Sequence, residues 1–204
     1  DLTLAASSEG ILECFKHVLK EFGYPPKDDR TIYNTIGMTL VDAFDLLTDM
    51  PDNPQREDMR KAYVKKADEV MVKKTYFYDD TIALLQTLQN AGVKVGIVST
   101  KYRYRIVNTF NEQAGSLPVD IIVGGEDVTR AKPDPQGLDL IIERFGADKS
   151  DVLYIGDSYI DAETALNSGV DFSGVTTGST TKEDFEKYPH IYIGSSLLDI
   201  FQNI

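Results

Sequence analysis

Three short polar segments of this sequence contain side chains of types that bind anions and metal ions. Each segment comes after a short apolar run, and their members are Ser99 with Thr100, Lys132, and Asp157 with Asp161. Hydroxyl and ammonium groups bind anionic oxygens, whereas carboxylate oxygens are ligands that magnesium favours. The residue types therefore suit chemistry on an anionic substrate beside a divalent cation.

Taken singly, each signal also has a purely structural interpretation. Ser99 is of a type that often caps a turn, and an isolated lysine such as Lys132 is most often a solvated loop residue. Asp157 precedes a predicted helix and suits the position of its N-cap. The functional interpretation depends on placement, because each of the three signals comes at the end of a predicted strand.

Helical and strand patterns alternate through the second half of the chain. Predicted strands at 93–98, 119–123, 152–155 and 172–175 alternate with predicted helices at 79–91, 103–113, 135–145 and 159–168. This alternation predicts an α/β fold with a parallel sheet, right-handed crossovers and helices on both faces. Ligands of such sheets bind beyond the carboxyl ends of the strands, where the polar segments lie. Residues 10–78 show only helical periodicity.

Composition and charge exclude several classes of protein. With 42% hydrophobic and 26% charged residues, the 204-residue chain has the composition of a globular protein with one core and a smaller inserted unit. A net charge of −12 disfavours binding to nucleic acid or to an acidic membrane surface. The sequence shows neither a membrane span nor a signal peptide, so we expect a cytoplasmic protein with a small-molecule partner. Its one cysteine, Cys14, is interpreted as a packing residue.

The polar segments resemble the motifs of the haloacid dehalogenase superfamily. That superfamily has an Asp-x-Asp-Gly-Thr-Leu box after its first strand, a Ser or Thr after its second, a Lys often followed by Pro, and a Gly-Asp-x-x-x-Asp box. Ser99, Lys132-Pro133 and the segment from Gly156 to Asp161 match the last three motifs. The helical stretch resembles the cap of the phosphoglycolate phosphatase branch. The resemblance implies a Rossmann-like core formed by residues 1–9 and 79–204, and a helical cap formed by residues 10–78.

The first motif is only partly present. The segment Asp1-Leu2-Thr3-Leu4 aligns with Asp-Gly-Thr-Leu, which places Asp1 at the second aspartate of the box. The first aspartate and its strand are then expected to precede Asp1, because a parallel sheet without its middle strand leaves backbone groups unpaired in the core. The alternative alignment makes Asp1 the nucleophile and loses the Thr-Leu match.

The resemblance implies a magnesium-dependent phosphatase that hydrolyses a small phosphomonoester through an aspartyl-phosphate intermediate. In this scheme Asp1 is the general acid and base, and Lys132 neutralises the nucleophile and the phosphate. The implied phosphate-binding residues are Ser99, Thr100 and Lys132. The implied Mg2+ ligands are Asp1 through its backbone carbonyl, Asp157 directly, and Asp161 either directly or through water. Lys101 is a weaker candidate for a substrate contact, and Arg105 is expected at the surface.

Two other functions remain open. A sugar-phosphate mutase of the β-phosphoglucomutase type shares all four motifs and differs in what its cap admits. A non-catalytic binding protein with the same fold belongs to another class, and Leu2 and Ala6, which depart from the first motif, favour it. The residues distinguish neither the substrate, among phosphoglycolate, a sugar phosphate, a nucleotide and pyrophosphate, nor the oligomeric state.

Overall fold

The computed structural model describes residues 1–204 and contains seven short strands and ten α-helices. The strands are β1 (Ala5–Ala6), β2 (Tyr76–Phe77), β3 (Gly96–Val98), β4 (Ile121–Val123), β5 (Leu153–Gly156), β6 (Asp171–Val175) and β7 (Tyr192–Gly194). The helices are α1 (Ser8–Glu21), α2 (Asp29–Tyr33), α3 (Leu40–Leu47), α4 (Arg56–Val70), α5 (Thr81–Asn90), α6 (Arg103–Gln113), α7 (Gln136–Phe145), α8 (Tyr159–Ser168), α9 (Lys182–Phe185) and α10 (Leu197–Asn203). None of these helices combines the length and apolar character that a bilayer span requires.

Five of the strands form two parallel groups, and within each group the carboxyl ends of the strands point in the same direction. Strand β3 pairs with β4, and β5, β6 and β7 pair in that order. The register places Val98 beside Val123 and Gly156 beside Gly174. With helices between successive strands, this arrangement confirms the predicted α/β fold. The antiparallel pair of β1 and β2 joins residues from the two ends of the helical stretch.

A large apolar cavity separates β3 from β5. Its volume is about 580 Å³, and most of its lining side chains are hydrophobic, among them Ile97, Ile155 and Leu197. Neither β3 nor β5 has a hydrogen-bonded neighbour on this side. Strand β3 accordingly occupies only the last three residues of the predicted run 93–98, because a strand edge without a partner lacks the ladder that defines it.

Helices α1 to α4 pack around a core of their own. Phe15, Phe44 and Tyr63 stack at its centre, with ring centroids 4.8 to 6.3 Å apart. Helix α1 ends before Gly23, whose φ of +77° is readily adopted by glycine and terminates the helix as the sequence predicts. Asp28 is the N-cap of helix α2, and its side chain accepts a hydrogen bond from the backbone N–H of Thr31. Local signals thus define these helices, and the shared core assembles them.

Candidate active site

The residues predicted to form a site lie at the carboxyl ends of the parallel strands. Ser99 and Thr100 directly follow β3, and Asp157 directly follows β5. Asp1, Ser99, Thr100 and Lys132 line one cleft of about 470 Å³ between the strand ends and the helical segment α1–α4. The structure therefore brings four of the six predicted residues into one cleft, while Asp157 and Asp161 lie next to it.

Lys132 and Asp161 form a buried ion pair. The Nζ atom of Lys132 lies 2.6 Å from Oδ1 of Asp161, and the two side chains are 13% and 5% exposed. Tyr154 donates its hydroxyl to the same oxygen at 3.0 Å, and the hydroxyl and backbone N–H of Ser158 donate to Oδ2. Burial is the largest single effect on the pKa of Lys132 and lowers it, but the charge and hydrogen bond of Asp161, together with the charges of Tyr154 and Asp157, outweigh burial and raise the pKa. Conversely, Lys132 lowers the pKa of Asp161 against the effect of burial. Both groups are therefore charged at neutral pH.

Asp157 has one carboxylate oxygen without a protein partner. Its Oδ1 atom accepts a hydrogen bond of 2.5 Å from the hydroxyl of Thr3, whereas Oδ2 accepts none. Burial raises the pKa of this carboxyl to about 6. The N-cap of α8 is Ser158, so the interpretation of Asp157 as a helix cap is wrong. A buried carboxylate with an unused oxygen suits a cation.

The side chains of Asp1, Asp157 and Asp161 do not form one carboxylate cluster. No three His, Cys, Asp or Glu side chains of this chain lie close enough together to hold a metal ion. Both carboxylate oxygens of Asp161 are occupied by Lys132 and Ser158, and the carboxylate of Asp1 faces another cation. Among the predicted ligands, Asp157 therefore fits direct binding of a metal, and Asp161 fits an indirect role.

Asp1 pairs with Lys101, a residue for which the sequence predicts only a minor role. The Nζ atom of Lys101 lies 2.5 Å from Oδ1 of Asp1, and the buried hydroxyl of Ser7 donates to the same oxygen at 2.6 Å. Burial, followed by the charge of Arg105, lowers the pKa of Lys101 to about 7. The hydroxyl oxygen of Ser99 accepts the backbone N–H of Lys101 at 3.1 Å, so the predicted turn-capping role is present and the hydroxyl hydrogen can still be donated to a ligand.

Arg105 connects α6 to α4 across the cleft. Its Nε and Nη2 atoms lie 2.8 and 2.7 Å from Oδ1 of Asp68, and Nη2 also donates to the carbonyl of Val64 at 2.9 Å. The guanidinium carbon lies 5.3 and 5.2 Å from the ring centroids of Tyr102 and Tyr104. The side chain of Arg105 is 6% exposed, so the expectation of a surface position is wrong. The charge of Asp68 and the two aromatic rings compensate for its burial.

Several residues of the site have no clear signal in the sequence. Thr3 and Ser7 are polar residues in an ordinary chain start, and Tyr154 lies inside a strand where a core position is expected. Gly178 belongs to the polar run that follows β6, and a Cβ atom at this position would lie 2.3 Å from Oδ2 of Asp157. The rule that ligands bind beyond strand ends applies to this run as well, and it would have indicated Gly178.

Comparison with known proteins agrees with this architecture. The family profile described as haloacid dehalogenase-like hydrolase matches residues 1–175. The PpaX pyrophosphatase of Listeria monocytogenes serotype 4a (strain HCC23) is 25% identical over 202 residues, which are 98% of this chain and 91% of that protein. The crystal structure of a protein described as a haloacid dehalogenase-like hydrolase from Bacteroides fragilis is 47% identical and superposes with a TM-score of 0.93, covering 97% of this chain and 94% of its own.

A predicted phosphoglycolate phosphatase from Haemophilus somnus 129PT superposes with a TM-score of 0.86 at 18% identity, covering 99% of this chain and 93% of its own. At that identity the likeness bears on the fold alone. The family profile, by contrast, covers most of this chain and includes all three motif segments. The resemblance predicted from the motifs is thereby confirmed, and the chain belongs to the haloacid dehalogenase-like hydrolase family of enzymes.

Proposed function

We propose that this enzyme is a cytoplasmic, magnesium-dependent phosphatase that hydrolyses a small phosphomonoester through an aspartyl-phosphate intermediate. The observation that carries the proposal is the buried pair of Lys132 and Asp161 beside Asp157, which has a free carboxylate oxygen. A fixed ammonium and a carboxylate ready for a cation are what transfer of a phosphoryl group requires from a protein.

The cavity between β3 and β5 supports a further part of the proposal. We propose that a strand preceding Asp1 fills this cavity and pairs with both neighbours, which completes a core of residues 1–9 and 79–204. The apolar lining suits a buried strand, and pairing would satisfy the open edges of β3 and β5. The end of such a strand would lie beside the end of β5, which Asp157 follows, so an aspartate two residues before Asp1 would serve as the nucleophile.

The remaining roles follow from the contacts of each side chain. Lys132 would bind a phosphate oxygen, and the Ser99 hydroxyl with Thr100 would bind another. Asp1, oriented by Lys101 and Ser7, would protonate the leaving oxygen and later accept a proton from water. Residues 10–78, which contain α2 to α4 and most of α1, would act as the cap that excludes water from the cleft.

Asp157 would hold Mg2+ through its free oxygen, and Asp161 would contribute through water, since magnesium usually retains several water ligands. Bound there, the metal would offset the negative charge of the phosphoryl group. The backbone carbonyl of Asp1 is a third oxygen ligand that the family resemblance implies. The chain offers these oxygen donors without a dedicated cage of carboxylates, which is how magnesium is commonly bound beside phosphates.

The test is phosphate release from phosphorylated metabolites, with and without Mg2+, by the protein that includes the residues before Asp1. Pyrophosphate and phosphoglycolate come first, because similar proteins are named for them. We expect metal-dependent release that Asp157→Ala and Lys132→Ala each abolish, while the exposed control Lys187→Ala retains it. Full activity of either site variant would refute the assigned roles. Turnover of a hexose phosphate without phosphate release would instead identify a mutase.

A further inference from the structure

Charged side chains of both signs line the cleft. Five cationic side chains and three carboxylates line it: Arg60, Lys101, Arg105, Arg130 and Lys132, with Asp1, Glu57 and Asp134. The whole chain has a net charge of −12. Each of these cations pairs with a carboxylate: Arg60 with Glu57, Lys101 with Asp1, Arg105 with Asp68, Arg130 with Asp134 and Lys132 with Asp161. Lys132 is the one among them that serves the transferring phosphoryl group in the proposed function, so a second anion needs a cation with an unused donor.

Arg60 is held at the helical wall of this cleft by two contacts. Its Nε atom donates to Oε2 of Glu57 at 2.8 Å, and Nη1 donates to the hydroxyl of Tyr102 at 3.0 Å. Its remaining nitrogen, Nη2, makes no hydrogen bond, and the side chain is 32% exposed. A guanidinium that is fixed at two nitrogens and free at the third is already oriented to bind an anionic oxygen at little entropic cost.

The chain geometry keeps Arg60 near the phosphate-binding loop. Tyr102, which accepts the hydrogen bond from Arg60, is three residues after Ser99, so their Cα atoms lie at most about 11 Å apart. Both residues line the same cleft. A molecule bound between Ser99 and Arg60 is limited in size by the cleft volume of about 470 Å³.

The helical side of the cleft includes apolar side chains that suit a short hydrocarbon segment. Ile36, Met38 and Leu40 lie on this side, together with the polar residues Thr35, Thr39 and Glu57. Sugar hydroxyls placed against these apolar side chains would lose hydrogen bonds to water without replacement. A short chain ending in a negative group would instead place its apolar part against them and its charge against Arg60.

We propose that Arg60 binds a second anionic group of the substrate, a carboxylate or a second phosphoryl group, while the transferring phosphoryl group lies at Lys132 and Ser99. This inference rests on the proposed phosphatase function and specifies its substrate class. Glu57 and Tyr102 orient the guanidinium, and Arg60 distinguishes substrates with an anionic end from those with a neutral end.

Binding tests the proposal independently of turnover. The probes are 3-phosphonopropionate, which has a carboxylate end, methylenediphosphonate, which has a second phosphonate, and propylphosphonate, which is neutral at that end. With Mg2+ present, calorimetry on the complete protein should give a dissociation constant about tenfold or more lower for at least one of the anionic probes than for propylphosphonate. The anionic probe that binds more tightly identifies the second anionic group of the substrate as a carboxylate or as a phosphoryl group.

The variant Arg60→Gln should remove this preference, leaving the affinity for propylphosphonate within about twofold. Arg30→Gln changes an exposed arginine of α2 outside the cleft and is the matched control. Equal binding of all three probes by the unmodified protein, or a preference that survives Arg60→Gln, would overturn the proposal. Kinetics with phosphoglycolate, pyrophosphate and ethyl phosphate then distinguish failure of the proposed phosphatase function from failure of the role of Arg60. Absence of all hydrolysis rejects the phosphatase function. Hydrolysis with an equal effect of Arg60→Gln on every substrate rejects only the role of Arg60.

Discussion

The free oxygen of Asp157 lies against Gly178, where a Cβ atom would approach it to 2.3 Å and would approach the backbone oxygen of Asp157 to 2.5 Å. Both contacts are far shorter than van der Waals separation, so only glycine leaves this oxygen in its observed position. The polar loop after β6 thus shapes the candidate metal position without contributing a ligand.

Replacing Gly178 should damage the site more than the fold. We expect Gly178→Ala to lower the rate of phosphate release by about tenfold or more, because the added methyl group displaces the Asp157 carboxylate. Gly115→Ala is the control, since nothing lies within 4 Å of the place that its methyl group would take. Because Gly115 has a φ of +62°, the control should lose about 1 kcal/mol of stability, but it should keep its activity. Unchanged activity of Gly178→Ala would contradict the assignment.

The buried pair of Lys132 and Asp161 should be measurable as a stability coupling. Lys132→Ala leaves the Asp161 carboxylate buried without its cation, and we expect the free energy of unfolding to fall by about 3 kcal/mol. Lys132→Ala combined with Asp161→Asn should cost less than the sum of the single changes, because the unpaired charge is then absent. Urea denaturation measures the free energy of unfolding of the two single variants and of the double variant. Lys187→Ala, which breaks an exposed pair with Asp184, should have little effect. Additive losses would show that the pair is not coupled.

Arg105 should hold the helical segment to the rest of the protein. Arg105→Ala removes the donors to Asp68 and to the Val64 carbonyl, and we expect unfolding to become easier by about 2 kcal/mol. Lysine cannot reproduce the guanidinium geometry or its stacking on the tyrosines, so Arg105→Lys should recover only part of the loss. Arg103→Ala, which alters a half-exposed neighbour, is the control in the same denaturation experiment. Full recovery by lysine would indicate that charge alone matters.

Cys14 should be chemically inert in the folded protein. Burial raises the pKa of its thiol to about 12, so at about pH 9 only about one molecule in a thousand carries the reactive thiolate. The side chain is fully buried as well. We expect iodoacetamide to leave Cys14 unmodified in the native protein and to label it rapidly in urea, as mass spectrometry would detect. Rapid native labelling would mean that the helical core opens readily.

The helices and the order of the polar segments follow from local sequence. Helices α6 and α8 begin and end at the predicted residues, because apolar periodicity and capping depend only on near neighbours. The capping box of Ser158 and Asp161 is an example, since its two residues are three positions apart. Because strands alternate with helices, the sequence also places Ser99 and Asp157 at the ends of parallel strands.

The sequence does not predict the short strands β1, β2 and β7, since two or three residues are too few to show alternation. The pairing of β1 with β2 joins residues about 70 positions apart, and β3 extends as far as its pairing with β4. These features depend on partners that only the folded chain supplies.

The pairing of charged side chains also depends on the tertiary structure. The sequence placed Lys101, Lys132, Asp1 and Asp161 near one sheet edge, with Asp161 in the first turn of the helix after β5. Tertiary structure decided that Asp1 pairs with Lys101 and Asp161 with Lys132, and that Asp157 keeps an oxygen free. The physical reason is that ion pairing depends on distances of a few ångströms between distant segments, and on the burial that strengthens those pairs, neither of which residue spacing encodes.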